Sequence, residues 1–116
     1  MELPPLLSLI LPLHRPPLDY LEELLYSLPL NEAELEIVVG INPLPSTPKA
    51  QLRSWLVKWQ KGASWQIVEY LRPFGVNAHF YFLQKLAWGI WLVPVDQDDR
   101  LQPGRWQGLQ PQLRDL

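Results

Sequence analysis

Four short apolar runs alternate with three segments of helical periodicity, and this alternation constrains the fold more than any other feature of the chain. The runs are "LLSLIL" (6–11), "LEIVVGI" (35–41), "WQIVEY" (65–70) and "IWLVPV" (90–95). Each has strand length, and the first two are almost wholly apolar, as strands covered on both faces are. Between the first two, Leu18, Leu21, Leu24, Leu25 and Leu28 recur at helical spacing behind Pro16 and Pro17. Between the next two, Leu52, Trp55, Leu56 and Trp59 share one helical face. Ser46 or Thr47 is positioned to cap that helix, with Pro48 at its first position and Gly62 near its stop. Residues 77–88 supply a third helix ending at Gly89. Strands separated by helices predict an α/β fold: a mostly parallel four-stranded sheet with helices on both faces, Rossmann-like, with right-handed crossovers. Pro94 lies inside the fourth run and removes a ladder donor, which places it at a bulge or an edge.

In such sheets ligands bind beyond the carboxyl ends of the strands. That points to residues 12–16, 41–47, 71–77 and 96–100. The last of these is distinctive, because "WLVPVDQDDRLQPG" (91–104) breaks from an apolar strand into three carboxylates within four positions. On an extended segment Asp96 and Asp98 share a face while Gln97 turns away. Converging carboxylates repel unless a cation or hydrogen-bond donors neutralise them. Hard divalent ions such as Mg²⁺ or Mn²⁺ take such oxygen ligands and complete their shell with substrate phosphates. The competing reading is a solvated turn in which an aspartate accepts local backbone N–H groups. Spacing alone leaves both open.

The ordered set of segments resembles the N-terminal, nucleotide-sugar-binding half of family 2 glycosyltransferases of the GT-A fold. The likeness is carried by "LSLILPLHRPPLDYLEELLYSL" (7–28), by "LEIVVGIN" (35–42) and by "FGVNAHFYFLQKLAWGIWLVPVDQDDRLQPG" (74–104). The last looks like that family's Gly…Asp-x-Asp-Asp-x-Leu-x-Pro-Gly segment, with Gly89 seven residues before Asp96. The resemblance covers residues 6–104 and implies a short, truncated GT-A domain with an irregular tail at 105–116. It implies Asp96 and Asp98 as ligands of a divalent cation and of the diphosphate of a nucleotide-diphosphate sugar, with Asp99 supporting the turn or a sugar hydroxyl. His14 and Asn42, at the strand ends, are further candidates for contact with that donor. The implied reaction passes the sugar to an acceptor hydroxyl.

Several positions depart from the family pattern. Leu13-His14-Arg15 stands where that family has a Thr-Tyr-Asn corner, and Ile41-Asn42 replaces an Asp pair that contacts the nucleoside. Phe80-Tyr81 replaces an Arg-Asn pair, and only "RWQGLQPQLRDL" follows the acidic segment, where an acceptor-binding half would be expected. The alternative is therefore a non-catalytic interaction module, a homo-oligomer or the companion of a chain supplying the missing half, its open sheet edge covered by a partner.

Charge and composition exclude other classes. A net charge of −2 without a basic run argues against nucleic acid. The absence of cysteine removes disulfides and thiolate metal sites. The N-terminus carries Glu2 and three early prolines, so it reads as a lead-in to a buried strand and not a signal peptide. No apolar run reaches membrane-spanning length, and a cytoplasmic protein is expected. An apolar fraction of 47% in 116 residues suffices for one packed domain, spanning 1–116. Trp55 and Trp59 read as buried against the sheet, Trp106 as a docking residue in the tail, and His79 as structural.

Overall fold

A computed structural model describes residues 4–16, 18–27, 34–60, 64–95 and 112. The order is β1 (Leu7–Leu13), α1 (Leu18–Ser27), β2 (Leu35–Ile41), α2 (Ser46–Trp59), β3 (Ser64–Glu69), α3 (Val76–Leu86) and β4 (Trp91–Pro94). All four strands are parallel and lie in the order β3-β2-β1-β4. The α/β class and the helices on both faces are as expected from sequence.

The two faces follow from strand alternation. Leu7, Leu9, Leu11 and Leu13 of β1, with Leu35, Ile37, Val39 and Ile41 of β2, pack against Leu21, Leu24 and Leu25 of α1 and Leu52 and Leu56 of α2. Their neighbours Ile10 and Val38 point the other way, onto Leu83 of α3. Trp55, Trp59, Trp65 and Trp91, all partly buried, pack against the first cluster.

Two prolines shape the β1–β4 pairing. The carbonyls of Leu6 and Ile10 accept from Trp91 and Val95 of the β4 side, whereas the carbonyl of Leu13 accepts from Asn42 beyond β2. Even-numbered residues of β1 thus face β4 and odd-numbered ones face β2. Strand β1 runs through Pro12 to Leu13, because the missing N–H lies on the β4 side and the β2 ladder loses nothing. The cost falls on β4: among the described residues its ladder to β1 ends where Val95 donates to Ile10. By the same alternation, Trp91 and Val93 of β4, and Val95 just beyond it, face β1, and the nitrogen of Pro94 faces outward on a strand at the edge of the described sheet. That is the placement a strand proline requires.

Helix ends differ from expectation for local reasons. The residue preceding α2 is Pro45, which cannot donate a side-chain cap, and Ser46 and Thr47 fall inside the first turn. The helix ends at Trp59, three residues short of Gly62, with Gln60 extended. Helix α3 stops at Leu86 instead of residue 88: Ala87 is extended and its N–H makes the last bond, to Leu83, while the two amides after it are engaged elsewhere. Trp88 N–H donates to Glu36 Oε1 and Gly89 N–H donates to Ser8 Oγ. Glu36 is a fully buried carboxylate that also accepts from Ser8 Oγ at 2.6 Å and from Gln66 Nε2 at 2.8 Å. A buried charge needs such donors, and they lock the α3–β4 connection to the amino-terminal end of the sheet. Gly89 must be glycine here, since a Cβ would lie 2.3 Å from Ser8 Oγ and 2.8 Å from its backbone nitrogen.

Candidate functional site at the carboxyl ends of the strands

Helices α1 and α2 leave β1 and β2 on one face, while α3 delivers the chain to β4 on the other. The direction of winding therefore reverses between β1 and β4, and a crevice at such a switch point is where parallel α/β sheets bind ligands. The interrupted ladder at Pro12 lies at this point. Asp96 follows Val95, the residue after β4, whose N–H is bonded to the Ile10 carbonyl. Asp96, Asp98 and Asp99 themselves lie outside the described residues. So do Trp106 and the rest of the acidic segment's continuation.

Across the crevice stand His14 and Arg15, both exposed. Arg15 turns the chain from β1 toward α1 with φ at 44°, in the left-handed region. For a non-glycine residue this costs about 1–2 kcal/mol. Asn42, at the end of β2, is only 3% exposed. Its Oδ1 accepts from the Phe74 amide at 2.9 Å, and its Nδ2 donates to the Phe74 carbonyl at 3.1 Å. The same Nδ2 lies 3.3 Å from His14 Nδ1. With Asn42 as donor, that ring nitrogen is the acceptor and the proton resides on Nε2. The structure thus brings His14 and Asn42 together, a contact the sequence did not announce. It also shows Asn42 fastened to the β3–α3 connection, a link without sequence signature.

Behind this clasp is an aromatic cluster. Tyr70 meets Phe74 at 4.6 Å, His79 at 4.9 Å and Phe82 at 5.5 Å between ring centroids, all edge-on. His79 Nε2 and Tyr70 Oη are buried, with no hydrogen-bond partner among the described residues. Both converge on Gly40, where a Cβ would lie 2.3 Å and 2.5 Å from them. Burial pushes the His79 pKa down to about 4 and that of Tyr70 up to about 12. Phe80 packs on the α3-side core, while Tyr81 is exposed beneath Lys85.

Sequence reasoning missed a cavity of about 390 Å³ on the α1–α2 side, lined by Arg15, Leu18, Leu44, Pro48, Gln51 and Leu52 among others. Its residues come from two loops and two helices, so no contiguous motif announces it. Among the described residues no cluster of three or more His, Asp or Glu side chains forms a metal site. No described helix is long and apolar enough to cross a membrane.

No known protein-family profile matches the chain, and no curated protein sequence is a detectable relative. Solved structures do match. The residue 1–349 fragment of S. aureus TarS in complex with UDP-GlcNAc superposes with a TM-score of 0.78 at 20% identity, over 94% of this chain and 31% of that one. TarS 1–349 alone gives 0.73 at 18% identity, over 94% and 32%. The mannosyltransferase PcManGT from Pyrobaculum calidifontis, in complex with GDP-Man and Mn²⁺, gives 0.70 at 21% identity, over 96% and 32%. These are GT-A-type glycosyltransferases, and the chain has their fold over about a third of their length.

Proposed function

We propose that this chain is a donor-binding domain of the GT-A type, holding a nucleotide-diphosphate sugar in the crevice between β1 and β4. The observation that supports the reading is the meeting at one switch point of the clasped His14–Asn42 pair, Arg15 and the end of β4, which the sequence continues as Asp96-Gln97-Asp98-Asp99. His14 and Arg15 offer nitrogen donors and positive charge to a diphosphate. Asn42 acts through His14, fixing its ring proton on the nitrogen away from the clasp. The donor set of the acidic segment, all carboxylate oxygen, fits a hard divalent cation. Asp96 and Asp98 would hold Mg²⁺ or Mn²⁺, and Asp99 would meet the donor. When bound, the ion supplies positive charge against the departing diphosphate as the sugar passes to an acceptor hydroxyl.

Isothermal titration with UDP, GDP and their sugars, with and without Mn²⁺, tests this. Metal-dependent binding that Asp98→Asn weakens at least about tenfold is expected, since it removes a ligand charge. Nucleotide binding indifferent to both would sink the metal assignment.

A second reading, a non-catalytic interaction module, is favoured by one observation. The outward side of β4 carries exposed Ile90, Leu92 and Val93 beside Trp88. A partner chain, or a second copy, would cover that edge.

A further inference from the structure

We propose that the cavity between α1 and α2 receives the nucleobase of the donor, at a position displaced from Asn42; this rests on the donor-binding reading above. The argument begins with what Asn42 no longer offers. Its carbonyl oxygen and both amide hydrogens face Phe74 and His14, and at 3% exposure it has no surface on which a base could lie. Ile41, the other residue at this strand end, is buried and carries no polar side chain. The end of β2 is closed to base recognition.

One residue beyond Asn42 and Pro43 the situation changes. Leu44 opens a cavity of about 390 Å³, floored by Leu52 and walled by Leu18 and Pro48. That volume lies within the range of small-molecule sites. Two polar side chains border it, Arg15 at the β1–α1 turn and Gln51 on α2. The lining suits a flat heteroaromatic ring. Apolar side chains cover its faces, and the Gln51 amide presents one donor and one acceptor to an edge that carries both. A sugar fits poorly, because its several hydroxyls would be buried against leucine and proline, each unpaired group costing about 1–3 kcal/mol. Arg15 belongs both to the cavity and to the chain segment that flanks the crevice. It therefore stands where the first phosphate of a nucleotide would leave the base pocket for the carboxyl end of β1. The left-handed backbone of Arg15 is maintained at a cost, as residues at ligand clamps often are.

Titrations of the full chain with three probes, Mn²⁺ with pyrophosphate, with UDP and with GDP, decide the matter. Pyrophosphate reports the diphosphate edge alone, and the nucleotides add the base. Wild type is expected to bind at least one nucleotide more than about tenfold tighter than pyrophosphate, the margin that burial of a base supplies. Leu44→Trp fills the cavity and should erase that margin without changing pyrophosphate affinity. Gln51→Leu, on an exposed helix position, should reduce nucleotide affinity about three- to tenfold, the worth of one hydrogen bond, again sparing pyrophosphate. Equal affinity of wild type for pyrophosphate and both nucleotides overturns the base pocket while leaving the diphosphate edge standing. So does nucleotide binding by both variants at the wild-type level. Failure of pyrophosphate with Mn²⁺ to bind at all removes the donor-binding reading, and the pocket with it.

Discussion

Gly40 sits in the middle of the sheet, opposite Pro12, where a strand would ordinarily carry a β-branched residue. Its hydrogen is the surface on which His79 Nε2, Tyr70 Oη and Leu83 Cδ2 rest, at 2.3, 2.5 and 2.9 Å from an added Cβ. Gly40→Ala should destabilise the protein by about 1–3 kcal/mol through overpacking, read as a lower urea midpoint. Gly75→Ala is the control, since nothing lies within 4 Å of its Cβ, and it should stay close to wild type. His79 adds a pH dependence whose sign is fixed by burial. Its pKa is about 4 in the folded chain against 6.5 when unfolded. As pH falls below 6.5 the unfolded state takes up the proton first. Stability is therefore complete above that value and is lost progressively down to pH 4, by a total on the order of 3 kcal/mol. His79→Leu should flatten this window in denaturation curves recorded across it. Glu69, held below its ordinary value by Arg53, contributes only at lower pH.

At the level of elements, Asn42 works as a clasp between the connections that follow β1, β2 and β3. Asn42→Ala should expose the Phe74 amide to exchange while leaving the Gly89 amide, secured by Ser8 at the opposite end of the sheet, as protected as before. Amide exchange followed by NMR separates the two, and equal deprotection of both would mean that the variant merely unfolds. The strands and helices themselves were legible because period and apolarity are local: all seven elements fall where hydrophobic spacing puts them. What was not legible depends on which side of a strand an atom faces. Pro12 looks like a strand terminator until the β4 side is known to be the side it starves. Glu36 looks like an interruption of an apolar run until Ser8, Gln66 and the Trp88 amide surround it. Of the candidate site, His14 and Asn42 could be placed from strand ends alone. The Leu44–Gln51 cavity could not, because it arises only when the loops after β1 and β2 are brought together by α1 and α2 packing side by side.

For the whole molecule the decisive asymmetry is between the two edges of the sheet. The β3 edge is buttressed by α2, where Arg53 grips Glu69 in a bidentate pair. The β4 edge presents Ile90 at 63% exposure, with Leu92 and Val93 beside it. An open apolar edge invites strand addition from another chain. Pro94 counters it: of the two β4 residues whose backbone faces outward, Leu92 and Pro94, one has no N–H to give. A second strand can therefore pair fully at Leu92 but finds only the carbonyl at Pro94, and association through this edge should be weak and concentration-dependent. Pro94→Val restores the outward donor without touching the groups that face β1. In sedimentation velocity this variant should associate at lower concentration than wild type, and Leu92→Lys should shift the balance toward monomer. If Pro94→Val behaves as wild type while Leu92→Lys still dissociates the assembly, contact is made through side chains alone. If neither substitution matters, the β4 edge is not the surface through which copies of this chain meet.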